Sequence, residues 1–283
     1  MSKRIPYCVW IVTPAAYVHS RCFEEVAIAL RSAFGDLGVD APVVTHPPND
    51  TERVIALGAN LLPSMGLGGL PPGLILFNLE QILEGSPWLQ PDYLSLLKRH
   101  TVWDYSANNV AALAKLGVDG VINCGIGYAP ELTRIPATSE DIDVLFVGSI
   151  NQRRRALLDE IVKRGLKVHA AFGVYGTERD ALIARAKLVL NVHYYDSRVL
   201  EIVRTSYLLA NRKCVVSESG NDAELEQPLR SGIAFAPYEG LADACVALIE
   251  DNEARERLAH RGFELFRSMP QTGMLRKALA ATV

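Results

Sequence analysis

No stretch of this 283-residue sequence is both long, apolar and free of chain breakers. The most apolar region, residues 61–77, carries Pro63, Pro71 and Pro72 among glycines at 66, 68, 69 and 73, which excludes a single membrane-spanning helix. An excess of one charge sign is also missing. With 29 Lys and Arg against 32 Asp and Glu, there is no global basic field to gather nucleic acid or an anionic membrane. Cysteine is scarce and dispersed: residues 8, 22, 124, 214 and 245 form no Cys-x-x-Cys pair and adjoin no histidine cluster. That spacing argues against a disulfide framework or a zinc module and predicts reduced core thiols. The polar start, Met1 to Arg4, runs into an apolar strand with no small-residue cleavage site, so no secretory leader and a cytoplasmic location are expected. No Gly-x-Gly-x-x-Gly follows the first strand of either half, which counts against a dinucleotide oxidoreductase.

What remains is an ordinary globular composition, 49% hydrophobic and 22% charged, in a chain long enough for two domains. The first half alternates short apolar runs with amphipathic segments. Strands are predicted over residues 7–13, 42–45, 53–57, 74–77, 102–105 and 121–124, and helices over 20–37, 93–99 and 107–116. A polar, proline-bearing stretch around residues 133–142 interrupts the alternation. Beyond it, strands are predicted at 144–147, 167–171, 188–192, 213–217 and 233–236, with helices at 155–164, 178–186, 197–209, 241–250 and 252–266. Alternation of this kind predicts α/β folding with parallel sheets covered on both faces. The expected organisation is two Rossmann-like α/β/α domains, residues 1–135 and 143–266, facing a cleft, with residues 267–283 as a tail packing back on the N-terminal domain.

Three places in the second half suit an anionic, nucleotide-like ligand. The run Val-Leu-Phe-Val-Gly-Ser at 144–149 ends a strand at Gly148 and Ser149, and Arg153 and Arg154 follow at a helix start, where amide groups and guanidinium groups favour phosphate. The loop at 172–177 places Val174 and Tyr175 between two glycines, which exposes backbone amides to a planar base. The segment at 188–204 delivers His193, Tyr195, Ser197 and Arg198 from an apolar strand to a loop, with Glu201 and Arg204 expected in the next helix on neighbouring positions. Each piece also has a bland reading as a βα turn, a loop or a surface ion pair.

In this order the pieces resemble the C-terminal domain of GT-B glycosyltransferases, a compact and divergent member of the family 1 and family 4 type. The resemblance covers residues 144–266 and includes Leu-Leu-Ala-Asn-Arg-Lys before Cys-Val-Val-Ser-Glu at 208–218, and the run from Gly220 through Pro237. It implies a nucleotide-sugar donor, a UDP-sugar by frequency in the family, held by this half. The family often carries two glutamates with seven residues between them, one by the sugar and one on the ribose. His193 and Glu201 occupy that spacing here, which implies a histidine on the sugar side as a catalytic group and Glu201 on the ribose. Alignment backwards from Val215 and Val216 puts Ser206 or Tyr207 at the ribose position instead, and the two assignments stay open.

In the first half, His19 stands just after the first strand. A near-neutral imidazole there suits a base for an acceptor hydroxyl, oriented by Glu24 or another carboxylate, and many inverting GT-B members carry a histidine at a similar position. Asn78, Glu80 and Gln81 at one strand end, and Asp104 and Tyr105 at another, are expected to bind the acceptor's hydroxyls. The glycine-rich stretch 61–73 admits a membrane-touching lip as well as a packed connection.

The implied activity is sugar transfer from a nucleotide-sugar to a hydroxyl-bearing acceptor such as a glycan or glycoconjugate, with no metal and no other cofactor. Arg153, Arg154 or Arg204 would neutralise the leaving diphosphate, and no Asp-x-Asp stands at a strand's carboxyl end. The alternative is a non-catalytic nucleotide-sugar-binding or regulatory protein on the same scaffold.

Overall fold

The computed structural model describes residues 5–47, 51–66, 69–71, 73–82, 88–195 and 197–282. The chain divides into two compact units, residues 1–131 with 270–283, and residues 132–269.

In the first unit the order is β1 (Ile5–Ile11), α1 (Glu24–Asp36), β2 (Val43–Val44), β3 (Thr51–Leu57), α2 (Leu62–Met65), β4 (Leu74–Asn78), α3 (Pro91–Leu97), β5 (Thr101–Asp104), α4 (Ala107–Lys115) and β6 (Ile122–Asn123). All pairings are parallel, in the order β2-β1-β3-β4-β5-β6. The central strands are near-continuous apolar runs because helices cover both faces: Val9, Ile55, Leu57, Leu76 and Phe77 are all inaccessible to solvent.

The second unit runs β7 (Ile142–Val147), α5 (Gln152–Lys163), β8 (Val168–Ala171), α6 (Gly176–Arg185), β9 (Ala186–Asn191), α7 (Ile202–Ala210), β10 (Cys214–Glu218), α8 (Ala223–Glu226), β11 (Ala234–Ala236), α9 (Leu241–Glu250) and α10 (Asn252–Arg267). Its parallel sheet has the order β11-β10-β9-β7-β8. In each sheet the strand order reverses once, between β1 and β3 and between β7 and β9. Crevices open beyond the carboxyl ends of strands at such reversals, and they are where doubly wound sheets bind ligands.

The α/β class expected from the alternation is the class observed. Three helices were not anticipated. Two are the single-turn α2 and α8; the third, α11 (Gln271–Ala281), belongs to the first unit, where it packs on α1. Its anchor is Gln271, buried at 1% exposure. The Gln271 backbone N–H donates to the Tyr128 carbonyl at 2.8 Å, its Oε1 accepts from the Gly127 N–H at 2.6 Å, and its Nε2 donates to the Gly125 carbonyl at 3.2 Å. At the other end of α11, Trp103 Nε1 donates to Thr282 Oγ1 at 3.0 Å. A further difference concerns the helix expected over 197–209, which begins only at Ile202. Residues 197–200 are held as loop instead: Arg198 has φ +48°, its carbonyl accepts from the Asn221 N–H at 2.8 Å, and Asn221 Nδ2 donates to the Ser197 carbonyl at 3.1 Å. A Cβ on Gly220 would lie 2.0 Å from the Arg198 carbonyl oxygen, so only glycine permits this approach.

Substituting Gln271→Ala leaves the buried Gly127 N–H without its acceptor, which should cost about 1–3 kcal/mol of stability. Urea denaturation checks this; a loss under about 0.5 kcal/mol, the scale of a neutral surface change, would mean that α11 is not anchored through this side chain.

Candidate functional site

The strand reversal of the second unit gathers several of the residues singled out above in that half. β7 ends at Val147, and Gly148 follows with φ +156°. A Cβ on Gly148 would meet Arg204 Nη2 at 3.4 Å and Arg154 Nη1 at 3.5 Å, so two guanidinium groups converge on this one glycine. Arg154 lies in the first turn of α5, a helix capped by Asn151, whose Oδ1 accepts from the Arg154 N–H at 2.9 Å. The Arg154 side chain is 3% exposed. It donates to the Ser149 carbonyl at 2.9 Å and to the Val192 carbonyl, tying the loop after β7 to the loop after β9. Burial, with the repulsion of Arg204 next, lowers its pKa to about 10. Arg204 donates to Asn191 Oδ1 at 3.1 Å, and among the described residues no carboxylate lies within ion-pair distance of it.

Glu201, the residue before α7, faces this pair. Its Oε2 accepts from Asn191 Nδ2 at 2.8 Å and lies 3.2 Å from His193 Nδ1, while its Oε1 is 3.7 Å from Arg154 Nη2. Burial alone raises the Glu201 pKa, but the contact with His193, the charge of Arg204 and the Asn191 hydrogen bond outweigh it and hold the carboxyl below its ordinary value. His193 is 2% exposed, and among the described residues neither ring nitrogen has a hydrogen-bond partner; the approach to Glu201 is close but off the line of a hydrogen bond. Tyr194 covers the site from the loop, with Arg154 5.1 Å from its ring centre and Tyr195 edge-on at 4.9 Å.

Two residues here escaped the sequence reading. Asn191 ends β9 fully buried, and its amide bridges Glu201 and Arg204; the i, i+3 helical spacing that first linked those two residues does not apply, since Glu201 precedes the helix. A polar residue closing the run Leu-Val-Leu-Asn was the available signal. Glu218, at the end of β10, is the other. Its carboxylate makes a two-pronged ion pair with Arg153, one arm at 2.8 Å, and Arg153 also stacks on Tyr238 at 3.9 Å. The guanidinium expected on a diphosphate is therefore already matched, because a buried carboxylate at a strand end needs a cation.

The remaining residues fall outside the cluster. Arg198 is exposed and forms no ion pair with it among the described residues. Val174 and Tyr175 sit half-buried between β8 and α6. Ser206 is buried and donates back to the Val203 carbonyl at 3.2 Å, and the Tyr207 hydroxyl donates to Asp180 at 2.9 Å, whereas Glu201 stands beside His193. Asp196 lies outside the described residues, as do 67, 68 and 72 of the glycine-rich stretch.

In the first unit His19 is half-buried in a short 3-10 turn, 5.3 Å edge-on from the Tyr17 ring. Glu24, a candidate to orient it, accepts from Arg21 at 2.7 Å. Asn78 and Asp104 are not at an open rim. They are 1% and 0% exposed, and Asn78 donates to Asp104 Oδ2 at 2.6 Å and accepts from Tyr93 at 3.0 Å. Asp104 also accepts from the Ser106 N–H at 2.8 Å and from Asn109 at 3.1 Å. Tyr105 is buried as well. The network serves Glu80: its carbonyl accepts from both Asn78 and Asn109 at 2.9 Å, and Asn60 donates to its Oε1 at 3.3 Å. Burial raises the pKa of Glu80, and of Asp104 beneath it, to about 7 each. Glu80 and Gln81 are half-buried.

No protein-family model matches the chain. A viral relative, "Uncharacterized protein L140" of Acanthamoeba polyphaga mimivirus, is 29% identical over 189 residues, or 62% of this chain, and the chain spans only 59% of that relative's length. Anabaena Alr3699/HepE, solved with UDP and glucose, superposes with a TM-score of 0.67 over 98% of this chain and 99% of its own, at 12% identity. The fold is that of the GT-B glycosyltransferases. T4 phage BGT, solved as a variant with UDP-glucose, gives a TM-score of 0.56 over 97% and 95% of the two chains, again at 12% identity. The GT-B likeness at this identity is one of architecture. Among the described residues no three His, Cys, Asp or Glu side chains gather as a metal cluster, and no helix is long and apolar enough to cross a membrane.

The raised pKa of Glu80 sets a sign for pH. The folded form binds its proton more tightly than the unfolded form, so stability should fall as pH rises from the unfolded value near 4.3 toward about 7. Glu80→Gln should flatten that part of the stability profile, read by urea midpoints at pH 4.5 and 7.5; an unchanged slope would place the titration elsewhere.

Proposed function

We propose that this chain is a cytoplasmic glycosyltransferase that moves a sugar from a nucleotide-sugar, a UDP-sugar first among candidates, to a hydroxyl of a glycan or glycoconjugate acceptor. It does so without a metal ion or other cofactor. The observation that carries this reading is the convergence of Arg204 and Arg154 on Gly148 at a strand reversal. Two like charges are held together, one of them buried, and among the described residues no carboxylate lies within ion-pair distance of Arg204. A diphosphate would relieve that repulsion, and charge-assisted, two-pronged contacts are what guanidinium groups offer it. The UDP and glucose found with HepE, and the UDP-glucose found with the T4 phage protein, support the choice of donor.

In this reading Gly148, Ser149 and the start of α5 receive the diphosphate with Arg154 and Arg204. Glu201 accepts from the ribose hydroxyls, the loop with Val174 and Tyr175 reads the base, and His193 and Tyr195 face the sugar. The acceptor oxygen attacks the anomeric carbon, the bond from that carbon to the phosphate oxygen breaks, and the negative charge that develops on the leaving diphosphate is met by the guanidinium groups. His19 takes the acceptor's proton, and Glu80 and Gln81 bind its hydroxyls.

The reading is tested by incubating the protein with a panel of nucleotide-sugars and mixed glycans, following nucleotide release and transferred sugar. Turnover unaffected by chelator is expected. Tight donor binding with no release under any acceptor would instead favour a non-catalytic binding protein. Arg204→Ala should weaken UDP-glucose binding by roughly 10–100-fold in calorimetry, the loss of a charged hydrogen bond. His19→Ala should leave that affinity intact and lower turnover by at least about 100-fold, the usual share of a general base; turnover near wild type would remove His19 from the mechanism.

A further inference from the structure

The peptide of His193 is gripped on both sides by one ion pair. Its N–H donates to Glu218 Oε2 at 3.1 Å, and its carbonyl accepts from Arg153 Nη1 at 3.4 Å. The pair is itself fixed. Glu218 is 1% exposed at the end of β10, and the Arg153 guanidinium lies on the Tyr238 ring while the Tyr238 hydroxyl donates to the Arg153 carbonyl at 2.7 Å. An ordinary loop peptide is satisfied by water or by neighbouring backbone; here a buried carboxylate and its partner arginine serve a single residue. That residue carries an imidazole with no hydrogen-bond partner among the described residues, in a position closed to solvent. A ring whose peptide is held this firmly, with Nδ1 3.2 Å from Glu201 Oε2 and Nε2 without a partner among the described residues, is prepared for a contact that arrives with a ligand.

We propose that Glu218 and Arg153 are positioning residues that lock the His193 peptide so that its imidazole meets the bound donor. The proposal rests on the reading of this site as a nucleotide-sugar site. Neither residue touches the donor; they act through His193. Glu218→Gln keeps an oxygen for the His193 N–H but removes the charge that orders Arg153, and Glu218→Ala removes both.

A mutant cycle separates this role from general support of the fold. Calorimetry with UDP-glucose is run on wild type, Glu218→Ala, Glu218→Gln, His193→Ala and the double variant Glu218→Ala/His193→Ala. Each alanine variant should lose about tenfold in affinity, the worth of one hydrogen bond. The double variant should lose about tenfold too, because residues acting through one contact are not additive. A double loss near the product of the single losses, or no loss in Glu218→Ala, overturns the proposal. If wild type binds no UDP-glucose, the donor reading itself fails. NMR of histidine-labelled protein still judges the clamp in that case: Glu218→Gln should shift the ring signals of His193 and leave those of His260 in place, and unmoved His193 signals overturn it. Glu218→Gln also supplies a gentler variant should the alanine substitution unfold the chain.

Discussion

The buried guanidinium of Arg154 is the interaction on which the second unit's site depends. It enters from the first turn of α5 and donates to the carbonyls of Ser149 and Val192, one on each of the loops that leave the two strands flanking the reversal. A charged side chain is seldom buried without a close partner, because desolvation is costly. Here carbonyl dipoles, the faces of Phe146 and Tyr194, and the more distant Glu201 share that compensation. The consequence is a pair of loops joined at one spacing, with a second guanidinium, that of Arg204, brought alongside by the Asn191 amide. Repulsion between the two arginines is a cost the fold accepts at the one place where an anion would turn it to advantage.

The two units solve a similar problem in the same way. In each, an asparagine closes an apolar strand and distributes hydrogen bonds to residues that arrive from elsewhere: Asn78 at the end of β4 serves Asp104, Tyr93 and the Glu80 backbone, and Asn191 at the end of β9 serves Glu201, Ser217 and Arg204. An amide suits this position because it donates and accepts at once without adding charge to a buried layer. In the first unit the result is a saturated scaffold under Glu80. In the second it is a less saturated cluster: among the described residues the His193 ring makes no hydrogen bond, though Nδ1 lies 3.2 Å from Glu201, and no carboxylate lies within ion-pair distance of Arg204.

The alternation of apolar runs and amphipathic segments was enough to read α/β folding and nearly every strand, because strands buried on both faces cannot help being apolar. It also pointed to the side chains that cluster at the second unit's strand reversal, since loops that follow such strands carry the polar residues. Where it failed, long-range contacts had intervened. Residues 197–200 have helical composition but are pulled into a loop by the backbone of residues 220 and 221 across a glycine. The segment after 267 reads as a tail because its anchoring partners, residues 125–128, are nearly 150 positions away.

From the sequence alone came the layer architecture, the location of polar residues at strand ends, and the resemblance that pointed to nucleotide-sugars. The first two follow from periodicity and residue type, which are local properties; the third rests on the family resemblance. Which arginine is matched by a carboxylate and which converges on Gly148 was decided only by the tertiary structure. Arg153 and Arg154 are adjacent and chemically identical, and successive positions in a helix point about 100° apart. One direction meets Glu218 and Tyr238, and the other meets Gly148 and Arg204, so the roles of the two residues were set by what other strands brought to each side.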